Sequence, residues 1–321
     1  MCVLTMIGRR QSLTCNILLG LSIIFLISLL FHQGPTSSLL VFNSPSHLVS
    51  KKHQPSLLIE VITAYSQELE PSAQVEACDC GLVDDITWDN DQWQRVEYKN
   101  IYLFSAFYDQ RYKFHSKWFH FVRIISLVRD FIQTKLYCYL WSNLSNTTVQ
   151  VVAAQAKELW LDAWGKGSSN TLYKAYLISC RIPTHLNHQI YGVSISSQKC
   201  SKPETYLPVD SRVQSLKAKD DFTVCVKALD FEKDISIRLI EWIEIQLLLG
   251  SSYITFYLFQ VHSNTLKVLE YYQSAKKIKL IPLTLPGQLP NVPTERSQFL
   301  KDNIWQKRRL ELVPYNDCFY R

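Results

Sequence analysis

Glycine and methionine are scarce. Nine glycines, two methionines and twelve prolines in 321 residues are too few for a collagen-like or low-complexity chain. Charge is scarce too: 19% of residues are charged against 47% hydrophobic, which excludes general disorder. The 34 Lys and Arg exceed the 28 Asp and Glu by six, and that excess is spread along the whole length. Without a concentrated basic face, a dedicated nucleic-acid surface is excluded. No cysteine pair has CxxC spacing, and Cys78-Asp79-Cys80 is too close for a zinc pair. Asp84, Asp85, Asp89 and Asp91 lack the turn glycine and closing glutamate of a calcium loop, so the acidic stretch 82–91 reads as a solvated face.

Long runs that are both uncharged and almost wholly apolar are also scarce. Residues 15–31, CNILLGLSIIFLISLLF, carry no charge and as a helix would span about 25 Å, enough for a thin bilayer of the early secretory pathway. Arg9 and Arg10 precede the run, and no Lys or Arg follows until Lys51, so the positive-inside rule puts the amino terminus in the cytosol and the rest outside it. A membrane anchor is the expectation; a cleaved signal peptide is the alternative, and HQGPTSS offers it only a weak site. Two glycosylation acceptors, Asn143-Leu144-Ser145 and Asn146-Thr147-Thr148, suit a secretory protein. So do seven cysteines beyond the run, which in an oxidising lumen read as disulfide formers with one left over.

The expected organisation is a cytosolic tail over 1–14, a span over 15–31, a stem over 32–95, a β-rich lumenal domain over 96–220 and an α/β domain over 221–321. In the β-rich stretch, short runs such as NIYLFSAF, WFHFVRIISLV and KLYCYLW alternate with turn residues, and Cys138 and Cys180 fall at strand positions as candidate cross-sheet partners. After Asp220 the pattern changes. DFTVCVKAL, SYITFYLFQ and KLIPLTL read as strands buried in a parallel sheet. Between them ISIRLIEWIEIQLLL, capped by Asp234 and closed by Gly250, and NTLKVLEYYQSA, capped by Ser263, read as helices. The first helix is expected to be largely buried, its stripe of Arg238, Glu241 and Glu244 paired within itself. Ligands of such sheets sit at the carboxyl ends of the strands.

Several blocks together resemble glycosyltransferase family 92: Phe222 to Leu229, Glu241-Trp242-Ile243-Glu244 with Leu249-Gly250, Phe256-Tyr257, Val268-Leu269, Tyr271-Tyr272, and Tyr315-Asn316-Asp317-Cys318-Phe319-Tyr320-Arg321. Upstream, Phe104 to Arg111, Tyr137-Cys138 and Ile178-Ser179-Cys180 extend the resemblance, which covers about residues 99 to 321. It implies a type II membrane protein of the Golgi or another secretory compartment, with a parallel-sheet nucleotide-sugar domain of GT-A type. The implied reaction moves a hexose, with galactose the candidate, from a nucleotide sugar to a glycan or glycoprotein acceptor. It also implies a divalent ion, commonly manganese, held by an Asp-x-Asp motif against the donor diphosphate, because a dianionic leaving group needs its charge stabilised. That motif is expected shortly after Asn316-Asp317-Cys318, and the sequence stops at Arg321, so the α/β domain is read as incomplete and the ion's ligands as outside this chain.

Within the chain the donor-site candidates are Lys227, for a phosphate or base, and Asp230, for ribose or uracil; a strand-end lysine and a turn residue are the alternatives. Asn316, Asp317 and Arg321 are candidate donor contacts, with a helix cap the alternative for Asn316. Cys225 and Cys318 read as packing or disulfide cysteines, and Lys307-Arg308-Arg309 as a solvated helix face. Two other functions fit parts of the sequence: an inactive lumenal binding or scaffold protein, and a lectin-like β domain resting on residues 96–220 alone.

Overall fold

The computed structural model describes residues 4–7, 76–79, 83, 85–97, 99–114, 116–129, 132, 134–143, 148–161, 164, 172–211 and 222–321. All of them fall in one unit, Met1–Gly8 with Ser72–Arg321. The span expected over 15–31, like Cys80 and Asn146, lies outside the described residues, among which no helix is long and apolar enough to cross a membrane.

The aromatic and β-branched runs form long strands: β2 (Glu76–Asp79), β3 (Trp88–Asn90), β4 (Trp93–Arg95), β5 (Ile101–Phe114), β6 (Lys117–Arg129), β7 (Tyr137–Ser142), β8 (Thr148–Glu158), β9 (Tyr173–Arg181), β10 (Ile190–Ser196) and β11 (Leu207–Asp210). Seven of them close on themselves in the order β5-β6-β9-β8-β7-β10-β11, and β11 returns to pair with β5. Seven strands cannot alternate direction all the way round a ring. One pair must run parallel, and it is the closing one, with Val209 opposite Ala106 and Asp210 opposite Phe107. β2, β3 and β4 add to this sheet, although they fall inside the stretch expected as a stem.

Every ring strand contributes to the interior, for example Leu103, Ile124, Leu140, Val152, Ile178, Ile195 and Leu207. β6 is buried on both faces, with the eight residues Phe121 to Val128 all buried. Its inner residues face the barrel, while Ile125 and Leu127 pack outward with Tyr102 and Phe107 against Leu300, Leu310, Val313 and Tyr320 of the carboxyl-terminal helices. A strand buried on both faces, Arg123 and Ser126 included, thus arises here in an antiparallel sheet, because a second layer covers its outer side.

The remaining sheet has the order β1-β12-β13-β14, from β1 (Leu4–Ile7), β12 (Phe222–Phe231), β13 (Ser251–Val261) and β14 (Ile278–Pro282). β12, β13 and β14 run parallel. α1 (Ser236–Leu248) and α2 (Ser263–Ser274) connect them, followed by α3 (Pro293–Asp302), α4 (Ile304–Leu310) and α5 (Leu312–Tyr320). β1, inside the segment expected as a cytosolic tail, pairs antiparallel with β12.

The expected fold class is therefore corrected. Among the described residues the protein is mostly a closed seven-strand β-barrel with few helices, and not a parallel-sheet α/β domain of GT-A type preceded by a small β-rich domain. Run lengths in the sequence locate strands, but closure depends on the register of β5 with β11, some hundred residues apart, which no local pattern carries.

Local details also differ. α1 buries only Leu239 and Ile243, while Ile237 is 73% exposed and Leu248 is 88% exposed, so it is not the largely buried helix expected. Glu244 accepts from the Tyr272 hydroxyl on α2 and is not taken by Arg238. Asp234 does accept from the Ser236 N–H at the start of α1, and Gly250, at φ 95°, ends it in a conformation that L side chains rarely adopt. His262 caps α2, its Nδ1 accepting from the Asn264 N–H at 3.2 Å, where Ser263 was expected. Three disulfides staple the fold: Cys78–Cys200, Cys138–Cys180 inside the barrel, and Cys225–Cys318 between β12 and α5.

Candidate functional site

The parallel strands end against the three carboxyl-terminal helices, and a cavity of about 140 Å³ opens there. Its floor is the carboxyl end of the sheet: Ala228 and Asp230 from β12, Phe259 from β13, and Leu283 just past β14. α3 supplies Ser297, Leu300 and Lys301, and α4 supplies Lys307 and Leu310. Glu311 and Pro314 close the wall. The floor is apolar at its centre, and charged groups stand at its rim.

Two ion pairs hold that rim. Arg296 of α3, its side chain 4% exposed, grips Asp230 with two hydrogen bonds of 3.3 and 3.0 Å, donates to the Asn291 carbonyl at 2.7 Å and lies 4.8 Å over the Phe259 ring. Lys227 reaches Glu311 at 2.8 Å, tying β12 to the start of α5. Lys301 is exposed and Lys307 half-buried, and neither has a carboxylate partner among the described residues. The cavity therefore presents two uncommitted ammonium groups and two committed carboxylates, an arrangement that favours an anionic guest.

The same facts bear on the divalent ion. Among the described residues no group of three or more His, Cys, Asp or Glu is placed to hold a metal, and Asp230 and Glu311 are each occupied by a cation. The residues lining this cavity do not fit a divalent ion, and no step is routed through one.

Of the donor-site candidates, Asp230 lines the cavity, and Lys227 reaches it only through its pair with Glu311. The other three candidates go elsewhere. Asp317 is fully buried at the seam between barrel and sheet, accepting from the Tyr257 hydroxyl and pairing with Arg321 at 2.5 Å. Burial and the Asp317 charge push the Tyr257 phenol far above its ordinary range. Arg321 also lies 4.0 Å from Asp210 of β11 and 5.6 Å from the Phe107 ring centre. The Asn316 amide donates to the Leu312 carbonyl of its own helix at 2.8 Å. Asn143 is exposed in the turn after β7, where a glycan can be added.

Arg296, Lys301 and Glu311 were not singled out by the sequence. The run Lys307-Arg308-Arg309 was expected on a solvated face, but α4 splits it three ways. Lys307 lines the cavity, Arg308 stands over the Trp305 ring, and Arg309 is 2% exposed, bonded to Glu158 at 2.7 Å. The recoverable signal was spacing, since Lys307 and Leu310 lie three apart and so share a helix face.

A second cluster of titratable groups lies on the barrel. The Tyr108 hydroxyl is hydrogen-bonded to His120 Nδ1 and accepts from the His188 N–H at 3.1 Å, and the two imidazole rings meet edge to face at 5.2 Å. Burial, then the neighbouring His188, lowers the His120 pKa below its usual value, with Asp109 opposing.

The model of one protein family, glycosyltransferase family 92, matches residues 220–321, from just before β12 to Arg321. The match supports the resemblance read from the sequence over that stretch and a glycosyltransferase function in general terms; the upstream blocks lie outside it. No curated protein and no solved structure gives a match.

Proposed function

We propose that the segment matched by the family 92 model, residues 220–321, serves transfer of a hexose, with galactose the candidate, from a nucleotide sugar to a glycan or glycoprotein acceptor in a compartment of the secretory pathway. The observation that carries this reading is coincidence. The matched segment contains the cavity, and the cavity lies at the carboxyl ends of parallel strands with Lys301 and Lys307, which have no carboxylate partner among the described residues, at its wall. Its volume is below the roughly 300–1,000 Å³ of pockets that enclose a drug-sized ligand. It is assigned to the diphosphate end of the donor.

In the transfer an acceptor hydroxyl oxygen bonds to the anomeric carbon while the bond from that carbon to the phosphate oxygen breaks; the diphosphate leaves with the electron pair, and the hydroxyl proton passes to the departing phosphate or to water. Ammonium groups held at that oxygen stabilise the developing charge. Lys301 and Lys307 fill this role, and the pairs Lys227–Glu311 and Asp230–Arg296 fix the walls between which the diphosphate sits. Three disulfides and the exposed Asn143 support an oxidising, glycosylating compartment.

The test is titration of purified chain with UDP and GDP, followed by incubation with their sugar conjugates and a glycan acceptor. Binding of a nucleoside diphosphate, weakened tenfold or more by Lys301→Glu with Lys307→Glu, is the expected result. Binding without transfer would turn the reading to an inactive lumenal binding protein. No binding at all would overturn it.

A further inference from the structure

On α4, Trp305 lies two residues before Lys307, about 200° away round the helix, and so faces away from the cavity. It is 36% exposed and sets its ring edge to face against Trp160, with centroids 6.2 Å apart. Trp164, 48% exposed, meets the same Trp160 edge to face at 5.5 Å. Trp160 has a firm foundation. The Arg309 guanidinium lies 4.6 Å from its ring centre, and Arg309 is itself buried and bonded to Glu158 on β8. Beside them the exposed Arg308 holds its guanidinium 5.2 Å over Trp305.

We propose that Trp164 and Trp305, with Arg308, form a carbohydrate-binding platform that holds the glycan acceptor on the outer side of α4. A sugar ring has an apolar face of C–H bonds and a rim of hydroxyls. An indole offers the complementary pair, a flat face whose negative potential attracts the C–H edge and an N–H that reaches a hydroxyl. Rings already fixed by neighbours lose little conformational freedom on binding. The Arg308 guanidinium adds a fork of donors for hydroxyl oxygens. The choice of sugar as occupant rests on the glycosyltransferase reading. α4 is about 10–12 Å thick with its side chains, so a glycan laid on the platform has its free end within a few sugar units of the cavity. Leu161 and Ile304 are also exposed, which makes a lipid surface the rival occupant to be tested.

The experiment is calorimetric titration of the purified chain with three N-glycans, one high-mannose, one neutral biantennary and one sialylated biantennary. Binding to at least one is expected, with Trp164→Ala and Trp305→Ala each weakening it tenfold or more and Trp305→Phe restoring part of it. UDP binding should be unchanged in all variants, which also reports that they are folded. Glycan binding that survives the alanine substitutions overturns the platform, as does absence of binding to all three. Wild-type binding to phosphatidylcholine and phosphatidylserine vesicles that the same substitutions abolish, without glycan binding, assigns the surface to lipid and overturns it too. Loss of UDP binding alone with glycan binding intact would count against the cavity reading and leave the platform standing.

Discussion

In the barrel every strand from β5 to β11 has hydrogen-bonded neighbours on both sides, whereas the parallel sheet stops at β1 on one side and β14 on the other. The two regions also finish their cores differently. The barrel interior is built from its own strands with a few residues of the loops beside them, among them Leu136, Ile182 and Leu186, and the parallel sheet packs Val224, Ile254 and Phe256 against one side of α1 and α2 while their outer faces stay exposed. The helices that roof the cavity belong to neither core alone, since Leu300, Leu310 and Val313 pack with barrel residues. The candidate site therefore stands where a self-sufficient scaffold meets a region that borrows its support, and low-stability elements are where binding sites are commonly drawn from.

The largest effect should come from breaking the seam. Phe107 is 1% exposed, stacked 5.9 Å from Tyr320 and covered by Arg321, so Phe107→Ala should cost about 3–5 kcal/mol in urea unfolding. A cost below about 1 kcal/mol would mean that the two regions stand without each other.

Next comes the covalent tie. Cys225–Cys318 closes 93 residues and Cys138–Cys180 closes 42, for which chain entropy alone gives about 4.6 and about 3.9 kcal/mol. The double serine variant of the first should lose about 2–5 kcal/mol and nucleotide affinity together. The second lies in a hydrogen-bonded ring and should spare nucleotide affinity. Equal losses of affinity would erase the distinction between the regions.

A smaller effect follows from pH and acts on the barrel. His120 has a lowered pKa in the folded state, so the unfolded chain takes up its proton first, near the ordinary value of about 6.5. Its contribution is full above that pH and is lost as pH falls toward the folded value. Melting temperature should drop between pH 7.5 and 5.5, and His120→Gln should flatten the slope. The smallest effect belongs to the outer face of α1: Leu248→Gln, at a residue 88% exposed, should change stability by no more than about 0.5 kcal/mol in a thermal melt.

Legibility in the sequence followed the range of the interactions. Strand, helix, strand, helix, strand after residue 221 was readable because each element is set by its own periodicity and stops. Cys138 and Cys180 were legible as candidate partners because both fall at strand positions, and they are bonded. Barrel closure was not, since β11 meets β5 through only two residue pairs far apart in sequence. At the cavity, Asp230 could be placed from its position at a strand end. Arg296 and Lys307 could not, because their role depends on how α3 and α4 lie over the sheet, and nothing in PTERSQFLKD or IWQKRRL encodes that orientation.

The Cys225–Cys318 tie also sets an order of events during synthesis. Translation proceeds at roughly 5–20 residues per second, so the sequence separation of 93 between them corresponds to roughly 5–20 s. For that time the Cys225 thiol has no native partner. Cys78, Cys138, Cys180 and Cys200 have all emerged before it, and they pair only with one another. A nascent barrel that locks its own thiols first removes four wrong partners from reach, and the cavity can be sealed only after the scaffold beneath it has been made.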